Sequence, residues 1–187
     1  MRPFNCGTGP LALGRLAITM QRVLIIGSGG SGKSTLSKRL GKLLGLPVIH
    51  LDALYWRPGW IEPDKAQWAE TVRTVLAQSA WIIDGNYSGT LAERVEACDT
   101  VVFLDLPRMV CLWRVLKRLA KHRGKTRADM SDDCPERLNI PFLMWIWNYP
   151  NRTRRKVVTL LEKCRATKSV IHLRTRGEVE RFVCAQI

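Results

Sequence analysis

One run of eight residues, Gly27-Ser28-Gly29-Gly30-Ser31-Gly32-Lys33-Ser34, restricts this chain more than any other feature. It follows a short apolar run, Arg22-Val23-Leu24-Ile25-Ile26, and opens a stretch from about Lys33 to Leu44. In that stretch Leu36, Leu40, Leu43 and Leu44 fall on one helical face. The glycines let the backbone curl until successive N–H groups converge, and the helix beginning at Lys33 brings the positive end of its dipole to the same point. G-x-x-x-x-G-K-[ST] between a strand and a helix is a phosphate-binding loop, so the expected ligand is ATP or another nucleoside triphosphate. The expected contact set is Gly27, Ser28, Gly29, Gly30, Ser31, Gly32, Lys33, Ser34 and Thr35. Lys33 would reach the β- and γ-phosphates, Ser34 would ligate Mg2+ through its hydroxyl, and Thr35 would lie near the α-phosphate.

The rest of the chain repeats the alternation of short apolar runs with helix-length amphipathic ones, which predicts an α/β fold with a parallel sheet between helical layers. Gly45 and Pro47 end the first helix. A second strand, Val48-Ile49-His50-Leu51, leads to an aromatic loop with Tyr55, Trp56 and Trp60, then to a helix from about Pro63 to Gln78. The third strand, Trp81-Ile82-Ile83, runs into Asp84-Gly85-Asn86, with a short helix around Thr90 to Glu96. The fourth, Thr100 to Leu104, runs into Asp105-Leu106-Pro107. The helix from Arg108 to about His122 is expected to turn Met109, Leu112, Trp113, Leu116 and Leu119 inward and Arg114, Lys117, Arg118 and Lys121 outward. A polar stretch from Arg123 to Cys134 precedes helical regions around Phe142 to Ile146 and after Asn151, a fifth strand from Ser169 to Leu173, and a closing helix from Glu178 to Cys184.

At 187 residues the expectation is one domain, spanning residues 20–187, with a helical basic lid over residues 108–156. Residues 1–19 read as a disordered extension or an over-extended start, since Asn5, Gly7, Gly9, Pro10, Gly14 and Arg15 break any apolar signal core. A hydrophobic share of 46% with 25% charged residues excludes disordered, collagen-like and coiled-coil chains. Cys6, Cys98, Cys111, Cys134, Cys164 and Cys184 form no C-x-x-C pair, which argues against a zinc site or disulfide framework and points to a reducing cytoplasm. No run approaches the roughly 18 residues needed to span a bilayer, so no membrane partner is expected. Lys and Arg number 30 against 16 Asp and Glu, a net charge of +14, which favours a phosphorylated or polyanionic partner. Residues 108–156 hold 13 of these cations against four acids.

Ligands of an open α/β sheet bind beyond the carboxyl ends of its strands, where Asp52, Asp84 and Asp105 follow the second, third and fourth strands. Asp84 is assigned to the metal and Asp52 to accepting a proton from an attacking hydroxyl, while Asp105 reads as a cap and His50 as a strand residue. Arg114 and Arg118, one helical turn apart, and Arg123 and Arg127 on the polar stretch are the cations expected to stabilise a transferring phosphoryl group. Tyr55, Trp56 and Trp60 are placed to contact a small-molecule acceptor. A competing reading binds nucleic acid through Arg152, Arg154, Arg155 and Lys156, with Trp145, Trp147 or Tyr149 as stacking surfaces, although no nucleic-acid-binding motif accompanies them.

The phosphate loop, His50-Leu51-Asp52-Ala53-Leu54-Tyr55-Trp56, Trp81-Ile82-Ile83-Asp84-Gly85-Asn86-Tyr87, Phe103-Leu104-Asp105-Leu106-Pro107-Arg108 and Arg123-Gly124-Lys125-Thr126-Arg127 together resemble the nucleoside- and nucleotide-kinase branch of P-loop proteins. That branch has the adenylate-kinase-like fold. Within it the runs are similar to small bacterial proteins labelled topology-modulation or FlaR-related. The resemblance implies a five-stranded parallel core, an acceptor region between the second and third strands, a mobile lid after the fourth, and an ATP- and Mg2+-dependent kinase. It also keeps open an ATP-dependent nucleic-acid-binding or regulatory protein. Adenylate kinases carry Asp-Gly-Phe-Pro-Arg after the third strand; here the run is Asp84-Gly85-Asn86-Tyr87-Ser88, with serine in place of the phosphate-gripping arginine. Arg57 or Arg94 is the alternative source of that grip, although neither occupies the motif position. A hydroxyl-bearing acceptor, as in shikimate- or gluconate-kinase relatives, would need a base such as Asp52.

Overall fold

Runs rich in valine and isoleucine become interior strands here because helices cover both faces of the sheet, leaving no side for polar residues. The computed structural model describes residues 20–126 and 130–187. Its strands are β1 (Arg22–Gly27), β2 (Val48–His50), β3 (Trp81–Asp84), β4 (Thr100–Leu104) and β5 (Ser169–Leu173). They form one sheet in the order β2-β3-β1-β4-β5, and every neighbouring pair is parallel. The helices are α1 (Lys33–Leu44), α2 (Leu51–Tyr55), α3 (Lys65–Leu76), α4 (Leu91–Ala97), α5 (Arg108–His122), α6 (Ile140–Asn148), α7 (Thr153–Cys164) and α8 (Arg176–Cys184). The expected α/β class and five-stranded parallel sheet are both present.

Successive strand residues point to opposite faces, so the sheet carries two cores. Leu24, Ile26, Trp81, Ile83, Val101 and Phe103 pack with Trp68 and Val72 of α3 and Val157 and Leu161 of α7. Val23, Ile25, Ile82, Val102 and Leu104 pack on the other side with Leu36 and Leu40 of α1 and Val183 of α8. Central β1 has neighbours on both sides, so its carboxyl end opens into the middle of the molecule, where the phosphate loop begins.

Local chemistry shifts several boundaries. Asp64 accepts hydrogen bonds from the backbone N–H of Ala66 and Gln67, so α3 starts at Lys65 and not at Pro63. Thr175 caps α8 by accepting from Glu178 N–H, which starts that helix at Arg176. Tyr55 belongs to α2, which leaves β2 directly, and not to a loop.

The larger correction concerns α5. Cys111 and Val115 are its buried residues, while Met109, Trp113 and Leu116 face solvent. Arg114 and Arg118, which apolar periodicity sets outward but the lid reading sends to the crevice, line a cavity. The cause is what lies beneath the helix: a polar space above the phosphate loop, with only Ile146 of α6 completing a small buried apolar cluster. Among the described residues no disulfide links the cysteines, and no helix is long and apolar enough to cross a membrane. The expected disorder of residues 1–19 lies outside the described residues.

Candidate functional site

The phosphate loop turns through left-handed backbone at Gly30 (φ 77°) and Gly32 (φ 100°), conformations that favour glycine. At Gly30 the need is double, because an added Cβ would strike the Cys111 carbonyl where α5 rests on the loop. The Lys33 ammonium folds back over the loop and donates to the carbonyls of Gly27 (3.0 Å) and Ser28 (2.9 Å). Removal from water lowers its pKa, and Asp52 and Asp84 draw it part of the way back. Among the described residues no carboxylate forms an ion pair with it. An ammonium so held, beside convergent glycine backbone, suits a phosphate anion.

A cavity of about 610 Å³ opens from this loop. Gly29, Gly30, Gly32, Lys33, Ser34 and Thr35 line one end, and Asp52, Trp56, Trp60 and Tyr87 line another part. Arg114 and Arg118 of α5, with Phe142 and Trp145 of α6, close over it. Gly27, Ser28 and Ser31 belong to the loop but do not line the cavity; Ser28 and Ser31 are buried beneath it.

Asp84 ends β3 and is 3% exposed. It stands behind Ser34, whose hydroxyl lies 3.4 Å from Oδ1, while Ser37 donates to Oδ2 at 2.5 Å and His50 Nδ1 lies 2.6 Å from the same oxygen. The residues present therefore fit a cation held by the Ser34 hydroxyl and by phosphate oxygens, with Asp84 supporting from behind. Among the described residues no cluster of three or more His, Cys, Asp or Glu could hold a metal by itself. Sequence reasoning missed the contact between His50 and Asp84. It follows from the parallel register that sets those two residues opposite each other, so recognising the β2–β3 pairing would have found it.

Asp52, in the first turn of α2, accepts a hydrogen bond from the Tyr87 hydroxyl at 2.7 Å. Burial first, then the neighbouring carboxylate, drive the Tyr87 pKa far up, so the phenol remains a donor and fixes the carboxylate. Asn86 was also missed: its Nδ2 donates to the Gly27 carbonyl at 2.6 Å, and its Oδ1 accepts from Gly27 N–H at 3.2 Å. The side-chain amide thus copies a peptide unit and ties the phosphate loop to the end of β3.

Arg94 is fully buried. Its guanidinium donates to the carbonyls of Gly85 (3.0 Å), Asn86 (2.5 Å), Tyr87 (2.8 Å) and Thr90 (3.3 Å), and burial lowers its pKa to about 10. It shapes the turn that carries Asp84, Asn86 and Tyr87. Arg57 is exposed and donates to Gln67 at 2.6 Å. Neither arginine lines the cavity, so neither stands in for the arginine absent at Ser88.

Of the expected lid arginines, Arg114 donates to the Ser31 carbonyl at 3.1 Å, and Arg118 pairs with buried Glu136 at 2.7 Å. Arg123 is exposed and does not line the cavity, because the chain there bridges through its backbone to Glu136. Arg127 lies outside the described residues. Lys38, Glu136 and Arg137 also line the cavity and carry no motif that would have marked them.

Asp105 is no simple cap. It accepts from Arg154 Nε of α7 at 2.8 and 2.9 Å, and His172 Nε2 of β5 lies 2.8 Å away. Burial pushes its pKa up, but the bonds from Arg154 and His172 outweigh that and hold it below the ordinary value. A carboxyl with a depressed folded pKa adds stability above its unfolded pKa, and that stability is lost as pH falls through the folded value. Asp105→Asn is therefore expected to cost about 2 kcal/mol at pH 7, with the gap from the parent closing below about pH 4. Thermal denaturation at the two pH values measures it. Of the residues grouped for nucleic-acid binding, Arg154 is committed to Asp105, Tyr149 is buried, and Trp145 stacks on Phe142 inside the cavity. Arg152, Arg155 and Lys156 are exposed.

No protein-family model matches the chain, and no curated protein does. Among solved structures it is similar to shikimate kinase from Acinetobacter baumannii in complex with shikimate, at TM-score 0.56 and 14% identity over 89% of this chain and 90% of that one. It is also similar to shikimate kinase from Bacteroides thetaiotaomicron (TM-score 0.46, 20% identity, 89% and 95% covered) and to a gluconokinase from Sinorhizobium meliloti (0.49, 16%, 90% and 91%). The first of these likenesses shows that the chain has the P-loop kinase fold. The likeness to topology-modulation proteins rests on the sequence runs alone.

Proposed function

We propose that this protein is an ATP-dependent phosphotransferase that moves the γ-phosphoryl group to a hydroxyl of a small acceptor. The observation that carries the reading is the sharing of one cavity by Lys33 of the phosphate loop and by Asp52, oriented by Tyr87. The loop amides and Lys33 hold the phosphates, and Arg114 and Arg118 counter charge that spreads over the transferring group. Ser34, with Asp84 behind it, would hold Mg2+, which when bound would neutralise the phosphate oxygens. Asp52 takes the acceptor's proton as the new P–O bond forms and the bond to the β-phosphate oxygen breaks, leaving ADP and the phosphorylated acceptor. Serine at position 88, with Arg57 and Arg94 engaged elsewhere, supports a hydroxyl-bearing metabolite or nucleoside over a nucleoside monophosphate. Trp56, Trp60 and Tyr87 offer that acceptor a largely apolar wall.

Asp52→Asn tests the assignment. Acceptor phosphorylation is expected to fall about a hundredfold, with ATP affinity unchanged. Full turnover with the true acceptor would remove Asp52 from the base role. Titration with a fluorescent ATP analogue and single-turnover transfer of labelled phosphate measure the two quantities.

A further inference from the structure

The rotation of α5 leaves a surface that the proposed chemistry does not use. Met109, Trp113 and Leu116 recur at positions i, i+4 and i+7 of α5, and Ile140, Met144 and Trp147 recur in the same way on α6. All six are between 46% and 63% exposed. The two stripes adjoin, because Leu112 and Leu143 pack into one cluster between the helices and the Arg108 guanidinium lies 4.0 Å from the centre of the Trp147 ring. An apolar face carried on two helices is more than isolated exposed hydrophobics and calls for an occupant.

Two observations weigh against a second copy of this chain. The face carries Arg108 and Lys117 beside its tryptophans and no acid on either helix, so two like faces would bring cations together and repel. A 15-residue helix is about 22 Å long, and two side by side offer roughly 400 Å², about half the area per partner of a stable dimer. The composition instead suits the boundary of a bilayer. Neither helix contains Asp or Glu, and each exposed tryptophan has a cation over its ring, Arg108 on Trp147 and Lys117 on Trp113 at 5.5 Å. Tryptophan, methionine, leucine and isoleucine would enter the headgroup layer while the cations meet lipid phosphates. The lack of a spanning helix among the described residues bears on crossing a membrane, not on lying upon one.

We propose that the outer face of α5 and α6 docks the protein on an anionic lipid bilayer. The inner faces of the same helices carry Arg114, Arg118, Phe142 and Trp145 to the cavity, so docking leaves those side chains uncovered. The test is flotation of the full chain with vesicles of phosphatidylcholine alone or mixed with phosphatidylglycerol. Binding is expected only to the mixed vesicles and to weaken as salt rises. The double variant Trp113→Glu, Met144→Glu is expected to lower the bound fraction at least about tenfold, with far-UV circular dichroism, cooperative thermal unfolding and ATP affinity unchanged. Equal flotation of parent and variant would assign the binding to charge elsewhere and overturn the proposal. So would absence of flotation, or a lipid-free dimer in sedimentation velocity that the same variant abolishes. None of these outcomes depends on whether the protein transfers phosphate.

Discussion

On the proposed reading, Lys33→Ala is expected to lower phosphoryl transfer about a thousandfold, because it removes the loop's own cation, which would turn from the Gly27 and Ser28 carbonyls to the phosphates, while leaving the glycine backbone in place. The same substitution should leave the fold at least as stable as the parent. Lys33 sits where removal from water lowers its pKa, against which Asp52 and Asp84 act only partly. A lysine with a depressed folded pKa holds its charge less readily in the fold than in the unfolded chain, so below that pKa it opposes folding, and the opposition fades as pH rises through it. Loss of turnover with an unchanged or raised melting temperature separates a functional lysine from a structural one. A cooperative loss of both would mean that the loop depends on Lys33 to fold.

Arg94→Ala, unlike Lys33→Ala, is expected to act on the fold itself, with a loss of about 4 kcal/mol of stability. The guanidinium serves four backbone carbonyls in a space closed to water, so its removal takes a donor from each, although the Tyr87 carbonyl keeps another from Thr90 N–H, and leaves a large side chain's volume empty. For a chain of this size the melting temperature should fall by about 10 °C. Arg94→Lys should recover little, since a single ammonium cannot fan across carbonyls spread from Gly85 to Thr90. Urea denaturation of the three proteins measures this. A shift below about 1 kcal/mol would show that water reaches the turn and replaces the side chain. Turnover should fall as well, because the turn carries Asp84 and Tyr87.

The strands, their parallel arrangement and the phosphate loop were legible because each is written locally, as apolar runs of strand length and as glycine spacing before a helix. The facing of α5 was not. Counting its apolar side chains selects Met109, Trp113 and Leu116, but the side that turns inward covers a polar cavity and needs only Cys111 and Val115 for packing. Periodicity reports which face is greasier, not which face has something to cover. Contacts across elements were equally hidden: His50 reaches Asp84 through strand register, and Asn86 reaches Gly27 across the β1–β3 pair. Arg94 read as one more cation in a basic chain, since nothing in its neighbours marks a buried guanidinium.

The most direct test of the phosphotransferase reading is transfer from γ-labelled ATP with Mg2+ across a panel of hydroxylated metabolites, nucleosides and nucleotides. Lys33→Ala serves as the blank and duplex DNA is run in parallel. Label on one hydroxyl-bearing acceptor, absent with Lys33→Ala, is the expected result. ATP binding without label on any acceptor, together with salt-sensitive retention of DNA, would contradict it.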